Sequence, residues 1–240
     1  HPPRPDSFSS GGSRRLVMRL RPALFPLFVL LSAAAPLAAQ TSARIVYTFE
    51  HPQLQPSRYT ITIDENGTAH FVSQPGLAQQ DDDVFPAGID RSIHIDDTLR
   101  AGLFQYARTH SFFATDCERH QKNLAFTGHR TLAYAGPDGH GSCAFIWAAD
   151  PTLERLTEQL GAVAFTIEIG RRLDVEVQHD RLGLDAELES LQDAVNDRRA
   201  DDLPNIAEQL QVIADDQQVM DRARKRAQAL LSRCDNAKSN

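Results

Sequence analysis

Apolar and polar residues alternate along the first half of the chain, from residue 43 to about residue 148. This period of two is typical of strands that bury one face. The alternating runs are Ile45-Tyr47-Phe49, Tyr59-Ile61-Ile63, and residues 68–73, 92–95, 130–135 and 142–148. Asn66-Gly67 supplies the positive φ angles of a tight hairpin turn. Residues 136–139, Gly-Pro-Asp-Gly, predict a second hairpin.

Beyond Pro151 the apolar residues recur every three or four positions, which is the period of an amphipathic helix. The four apolar stripes are Leu153-Leu156-Leu160-Val163-Ile167, Leu184-Leu188-Leu191-Val195, Leu203-Ile206-Leu210-Ile213 and Ala223-Ala227-Leu230-Cys234. Residues 170–179 fit both periods. We expect a long helix that continues to about residue 178 and connects the sheet to the later helices.

Strands followed by helices predict the α+β class. We expect an antiparallel sheet of about five to six strands with one short helix, followed by a C-terminal helical hairpin or small bundle. Asp96 or Asp97 caps the short helix. The predicted β-rich domain covers residues 40–150, the helical region covers residues 151–235, and residues 236–240 form a disordered tail.

The N-terminal residues have the pattern of a secretory signal peptide at residues 18–39. A short basic stretch at residues 18–21 precedes an apolar run at residues 23–35 and a small-residue exit that ends at Ala39. The apolar run is shorter than the roughly 20 residues that a membrane-spanning helix needs. Residues 1–17 are predicted to be disordered or an upstream translation artefact. These features predict an exported product, periplasmic or extracellular, without stable membrane insertion after cleavage.

The charge of the chain changes when the signal peptide is removed. The 240 residues carry 25 basic and 32 acidic side chains, a formal charge of −7. Residues 1–39 hold five arginines and one aspartate, so the mature chain carries −11. A surface of that charge favours solubility and argues against nucleic acid as a partner, since nucleic-acid binders present a basic face.

The three cysteines fall into a pair and a singleton. Cys117 and Cys143 flank the first strand of the second hairpin, and in an oxidising compartment they are predicted to form a disulfide. A loop of that length stabilises the fold by about 3–4 kcal/mol in the chain-entropy model. Cys234 lies on the last apolar stripe and is expected to be buried.

A zinc site is the alternative for the same region. Cys117 and His120 are separated by two residues, and so are His140 and Cys143. Two thiolates and two imidazoles suit a tetrahedral zinc ion. If so, the protein is a zinc-binding module or a metal-dependent hydrolase. Our preferred interpretation has no metal and no cofactor.

Histidines occur at exposed strand positions. His70 has the neighbours Ala69 and Phe71, and His94 lies between two isoleucines. Strand alternation predicts that both imidazoles point away from the core, on an outward face of the sheet, where they suit a ligand site or a pH-sensitive patch.

No constellation of nucleophile, base and oxyanion donor can be assembled from the sequence motifs. There is no Gly-x-Ser-x-Gly elbow and no phosphate-binding glycine-rich loop. We therefore expect an exported, soluble, non-enzymatic protein that binds or scaffolds a component of a bacterial-type cell envelope. Its partner is expected to be an envelope protein or a second copy of itself.

Overall fold

The sheet comes first in the chain and the helices follow. The computed structural model describes residues 42–74 and 88–237. The predicted signal peptide at 18–39, residues 1–17 and residues 238–240 lie outside the described residues. The six strands are β1 (Arg44–Glu50), β2 (Arg58–Asp64), β3 (Ala69–Gln74), β4 (Asp90–Ile93), β5 (His129–Gly136) and β6 (Gly139–Phe145).

The six strands form one antiparallel sheet in the order β4-β3-β2-β1-β5-β6. The predicted turn at Asn66-Gly67 connects β2 to β3. Gly67 has a φ of 103°, a conformation that favours glycine, and its amide donates to Asp64 O at 3.0 Å. The second predicted hairpin is also present and pairs Gly136 with Gly139.

One face of the sheet is buried by two helices. Helix α1 (Asp97–Thr109) begins after Asp96, whose carboxylate accepts from the amides of Thr98 and Leu99. The first half of α2 (Pro151–His179) packs on the same core, which contains the apolar strand residues at alternate positions. The predicted period of two therefore corresponds to a sheet with one buried face.

Helix α2 serves both halves of the molecule. Its buried residues Leu153 to Ile167 belong to the sheet core, whereas Ile169 and Leu173 belong to a second core made by the later helices. The segment 170–179, which fits both periods, is helical, as we expected from the sequence. Gly170 permits a close approach there, because a Cβ at this position would lie 2.4 Å from Cγ2 of Ile206.

The helical part consists of α3 (Leu184–Asn196), α4 (Ala207–Asp215) and α5 (Asp221–Ala237), with a 3₁₀ turn at Leu203–Ile206. Helix α5 continues through Ala237, so it includes the first two residues of the expected tail at 236–240. No helix in the described part of the chain is long and apolar enough to cross a membrane.

Polar contacts join the sheet to the helical part. The side chain of Asn205 accepts from the His94 amide at 2.7 Å and donates to the His94 carbonyl at 3.0 Å. Arg91 donates to the Asn205 carbonyl, and the Asp202 carboxylate accepts from the Asp96 amide at 3.0 Å. We call these contacts of residues 91–96 with residues 202–205 the clasp. The described residues of both parts belong to one compact unit.

Candidate functional site

The predicted disulfide is present. Cys117 and Cys143 are bonded, with their Cα atoms 5.9 Å apart and a sequence separation of 26. Both residues are buried in the sheet core. Cys234 is a buried residue of the last helix, as its place on the apolar stripe predicted.

The four residues of the zinc alternative do not fit a zinc site in this arrangement. The two sulfurs are bonded to each other, so neither is a thiolate. Cys143 faces the core, whereas His140 alternates onto the opposite face of β6 and is exposed. Among the described residues, no group of three or more His, Cys, Asp or Glu side chains is placed to hold a metal ion.

His120 has a different partner. Its Nε2 lies 2.6 Å from Oδ2 of Asp116, and both side chains are exposed. The hydrogen bond that His120 donates to Asp116 raises the pKa of His120 and lowers the pKa of Asp116. This pair belongs to the surface of the loop after α1.

That loop is tied to the end of β6 by more than the disulfide. The Glu118 carboxylate accepts from the Ile146 amide at 2.7 Å, and the Arg119 amide donates to the Trp147 carbonyl at 2.8 Å. The Trp147 indole donates to the Ala125 carbonyl at 2.8 Å. Residues 117–119 and Ala125 are therefore tied to the end of β6.

The second face of the sheet is at least partly exposed at every position of its two central rows. We call these two rows the open face. Read across the strands from β4 to β6, they are Asp90-Val72-Thr60-Thr48-Thr131-Ala144 and Ser92-His70-Thr62-Val46-Ala133-Ser142. Six strands at a spacing of about 4.8 Å make a surface roughly 24 Å across.

The open face is short of charge at its centre and framed by ion pairs. Asp90 is its one acidic residue, and Oδ1 of Asp90 lies 2.7 Å from Nε2 of His70. One flanking row carries Arg58 bonded to Glu50 at 3.0 Å. The other carries Arg44 bonded to Asp64 at 2.7 Å. Threonine, valine, alanine and serine dominate the area between them.

The two predicted outward histidines have separate partners. His70 lies on the open face beside Asp90, whereas Nδ1 of His94 lies 3.0 Å from Oδ1 of Asp202. Asp202 is buried, and desolvation raises the pKa of its carboxyl, although the bonds from Asp96 and His94 act in the opposite direction. The structure therefore gives each imidazole its own carboxylate.

A cleft of about 770 Å³ adjoins the clasp. It lies between the start of α1 and the loop after α3, and His94, Asp202 and Arg233 are among the residues that line it. Sequence reasoning missed Asp202, because a single aspartate in a loop between helices has no periodic signal.

Sequence reasoning also missed Phe126, which lies in the loop tied down by Trp147. Its side chain is 47% exposed, and its ring centroid is 5.1 Å from those of both His51 and His129. The short apolar run Leu124-Ala125-Phe126 carries no period, so the only available signal was its loop position.

No protein-family model matches this chain, and no curated protein is found to be similar to it.

Proposed function

We propose that this chain is an exported, non-enzymatic protein that binds or scaffolds a component of a bacterial-type cell envelope through its open face. The observation that carries the proposal is the open face itself. It offers two rows of small, mainly uncharged side chains across six strands, and ion pairs mark its two borders.

The shape and chemistry of the open face suit a flat partner. Small and β-branched side chains on a sheet lose little rotamer freedom when they are covered. The rows contain hydroxyls that can donate and accept hydrogen bonds, and the bordering charges are already paired. A partner protein can therefore cover the centre without stripping water from isolated charges.

The signal-peptide pattern and the disulfide support the exported part of the proposal. Disulfides form and persist in oxidising compartments. The Cys117–Cys143 bond lies in the core of the sheet and is shielded from solvent. The acidic charge expected for the mature chain supports solubility outside the cytoplasm.

Photo-cross-linking in the native host tests the binding surface. A photoreactive residue is placed at Thr48 or at Thr131, which are neighbours at the centre of the open face. The matched control is Leu182, a strongly exposed apolar residue before α3. The expected result is one defined adduct from both threonine positions and none from Leu182.

The mass of the adduct identifies the partner class. An adduct with an envelope protein, or one with twice the mass of the chain, supports the proposal. Equal and diffuse labelling from the three positions, in cells where the protein is folded and exported, contradicts it.

A further inference from the structure

A shallow pocket of about 350 Å³ lies where β1 ends and β5 begins. Glu50, Arg58 and His129 belong to the row that flanks the open face, and they form one wall of the pocket. Phe126 and His51 form the aromatic side. We call this the Phe126 pocket.

The aromatic side of the pocket is held in place. Phe126 contacts the rings of His51 and His129, each at 5.1 Å between centroids. Its loop is anchored by the bond from the Trp147 indole, and Gly128 turns the chain into β5 with a φ of 108°. The phenyl ring is therefore exposed at the surface beside two imidazoles and next to an anchored backbone carbonyl.

The polar side of the pocket carries both signs of charge. Nη1 of Arg58 lies 3.0 Å from Oε1 of Glu50, and each side chain is about half exposed. Nδ1 of His51 accepts from the Gln53 amide at 3.2 Å, so its second ring nitrogen is the one available to a ligand. Donors and acceptors thus lie side by side along the rim.

We propose that the Phe126 pocket binds a neutral sugar ring, so that the envelope component recognised by the proposed function carries a glycan. The apolar C–H face of a pyranose packs on an aromatic ring, whose face is electron-rich. Its hydroxyl groups both donate and accept, so they satisfy the carboxylate of Glu50 and the guanidinium of Arg58 together.

Other ligand classes fit the pocket less well. Because Glu50 and Arg58 neutralise each other, the rim has no excess charge to attract an anion or a cation. An apolar side chain would cover both charged groups without offering a hydrogen bond, which costs free energy. A volume of about 350 Å³ admits one or two sugar rings and leaves the rest of a longer glycan in solvent.

Calorimetric titration of the oxidised full chain with maltose, cellobiose and N,N′-diacetylchitobiose tests this inference. We expect at least one disaccharide to bind. Phe126→Ala weakens that binding by about tenfold or more, equivalent to about 1.4 kcal/mol. Phe126→Trp keeps it, because the larger ring preserves the stacking surface. Met220→Ala, which removes an exposed apolar side chain on the helical part, leaves it unchanged.

The sugar titration and the cross-linking experiment can fail independently of each other. If none of the three sugars binds, or if Phe126→Ala and Met220→Ala bind equally well, the inference is wrong. Adducts from Thr48 and Thr131 would still support the open face as a binding surface. Conversely, if sugar binding depends on Phe126 but those adducts do not form, the pocket is a sugar site and the proposal for the open face is wrong.

Discussion

Gly128 and Trp147 show how single residues determine what the surface presents. Gly128 has a positive φ, and a Cβ at this position would lie 2.5 Å from the Phe49 ring. Trp147 holds the same loop through its indole nitrogen. Strand alternation could not predict this role for Trp147, because the bond to Ala125 joins residues 22 positions apart outside the sheet ladder.

Asp202 illustrates a second limit of sequence reasoning. It has a left-handed φ of 52°, and its carboxylate contacts His94 and Asp96, more than 100 positions earlier. Local periodicity carries no information about such distant polar contacts. Strand alternation predicted that His94 is exposed, but it did not predict that Asp202 is its partner.

Glu176 is a residue whose ionisation opposes folding. Its pKa is raised from 4.5 to about 7, chiefly by burial and also by the charges of Glu187 and Asp180, against the opposing effect of Arg172. Its Oε2 is buried without a hydrogen-bond partner among the described residues. A carboxyl whose pKa is raised in the folded state stabilises the fold below pH 4.5, and this contribution is lost as the pH rises through 7.

We predict that Glu176→Gln removes this loss of stability at rising pH, because a neutral amide does not ionise. The wild-type melting temperature should fall relative to that of the variant between pH 4.5 and pH 7. Thermal unfolding followed by circular dichroism across this range measures the difference. Glu158→Gln, at an exposed position of the same helix, should follow the wild type. Parallel curves for wild type and Glu176→Gln would show that burial does not raise this pKa.

At the scale of elements, the two hydrophobic periods were sufficient for the fold class. Alternation predicted the strands, the turn residues predicted both hairpins, and the stripes predicted the helices, because these patterns follow from local backbone geometry. The same alternation places Thr48, Thr60 and Thr62 away from the core. What it could not supply was the strand order, which puts β1 between β2 and β5 and so aligns the rows of the open face.

The two glycines of α2 give a matched test of how closely the elements pack. A Cβ at Gly161 would have Tyr59 Oη as its nearest neighbour, at 3.8 Å, whereas a Cβ at Gly170 would clash with Ile206. We expect Gly161→Ala to stabilise the protein by about 0.5–1 kcal/mol through helix propensity. Gly170→Ala should destabilise it by about 1–2 kcal/mol, since overpacking outweighs the same gain.

Chemical denaturation of the two alanine variants under identical conditions measures both values. The free energy of unfolding is expected to rise for Gly161→Ala and to fall for Gly170→Ala, although both are the same substitution in the same helix. Equal stabilisation by both would mean that Ile206 moves aside freely and that α2 does not pack tightly on the 3₁₀ turn.

At the scale of the whole molecule, α2 and the clasp make one unit from two hydrophobic cores. Helix α2 contributes buried residues to each core. The side chain of Asn205 bonds both the backbone amide and the backbone carbonyl of His94. The predicted division at residue 150 follows the change of period along the chain. It does not reveal the contacts that join the parts, since these are polar and more than 100 positions apart in sequence.

We predict that Asn205→Ala loosens the clasp without unfolding either core. Losing two hydrogen bonds should cost about 1–2 kcal/mol. Hydrogen exchange at the His94 amide, whose acceptor is removed, should accelerate while the amides of β1 and β2 keep their protection. Asn196→Ala, which removes a surface bond to Arg233, is the control and should leave exchange at His94 unchanged. Equal acceleration in both variants would contradict a specific role for Asn205.

The central claim is that the protein works outside the cytoplasm in an oxidised form. Intact-mass measurement of the protein recovered from its native host, under native conditions and after denaturation with and without iodoacetamide, tests this claim most directly. The predicted result is a chain that begins at Gln40, with two hydrogens lost to the Cys117–Cys143 bond and one alkylated thiol at Cys234. A chain that retains residues 18–39 and takes three alkyl groups, or a native mass with one zinc that a chelator removes, would contradict the claim.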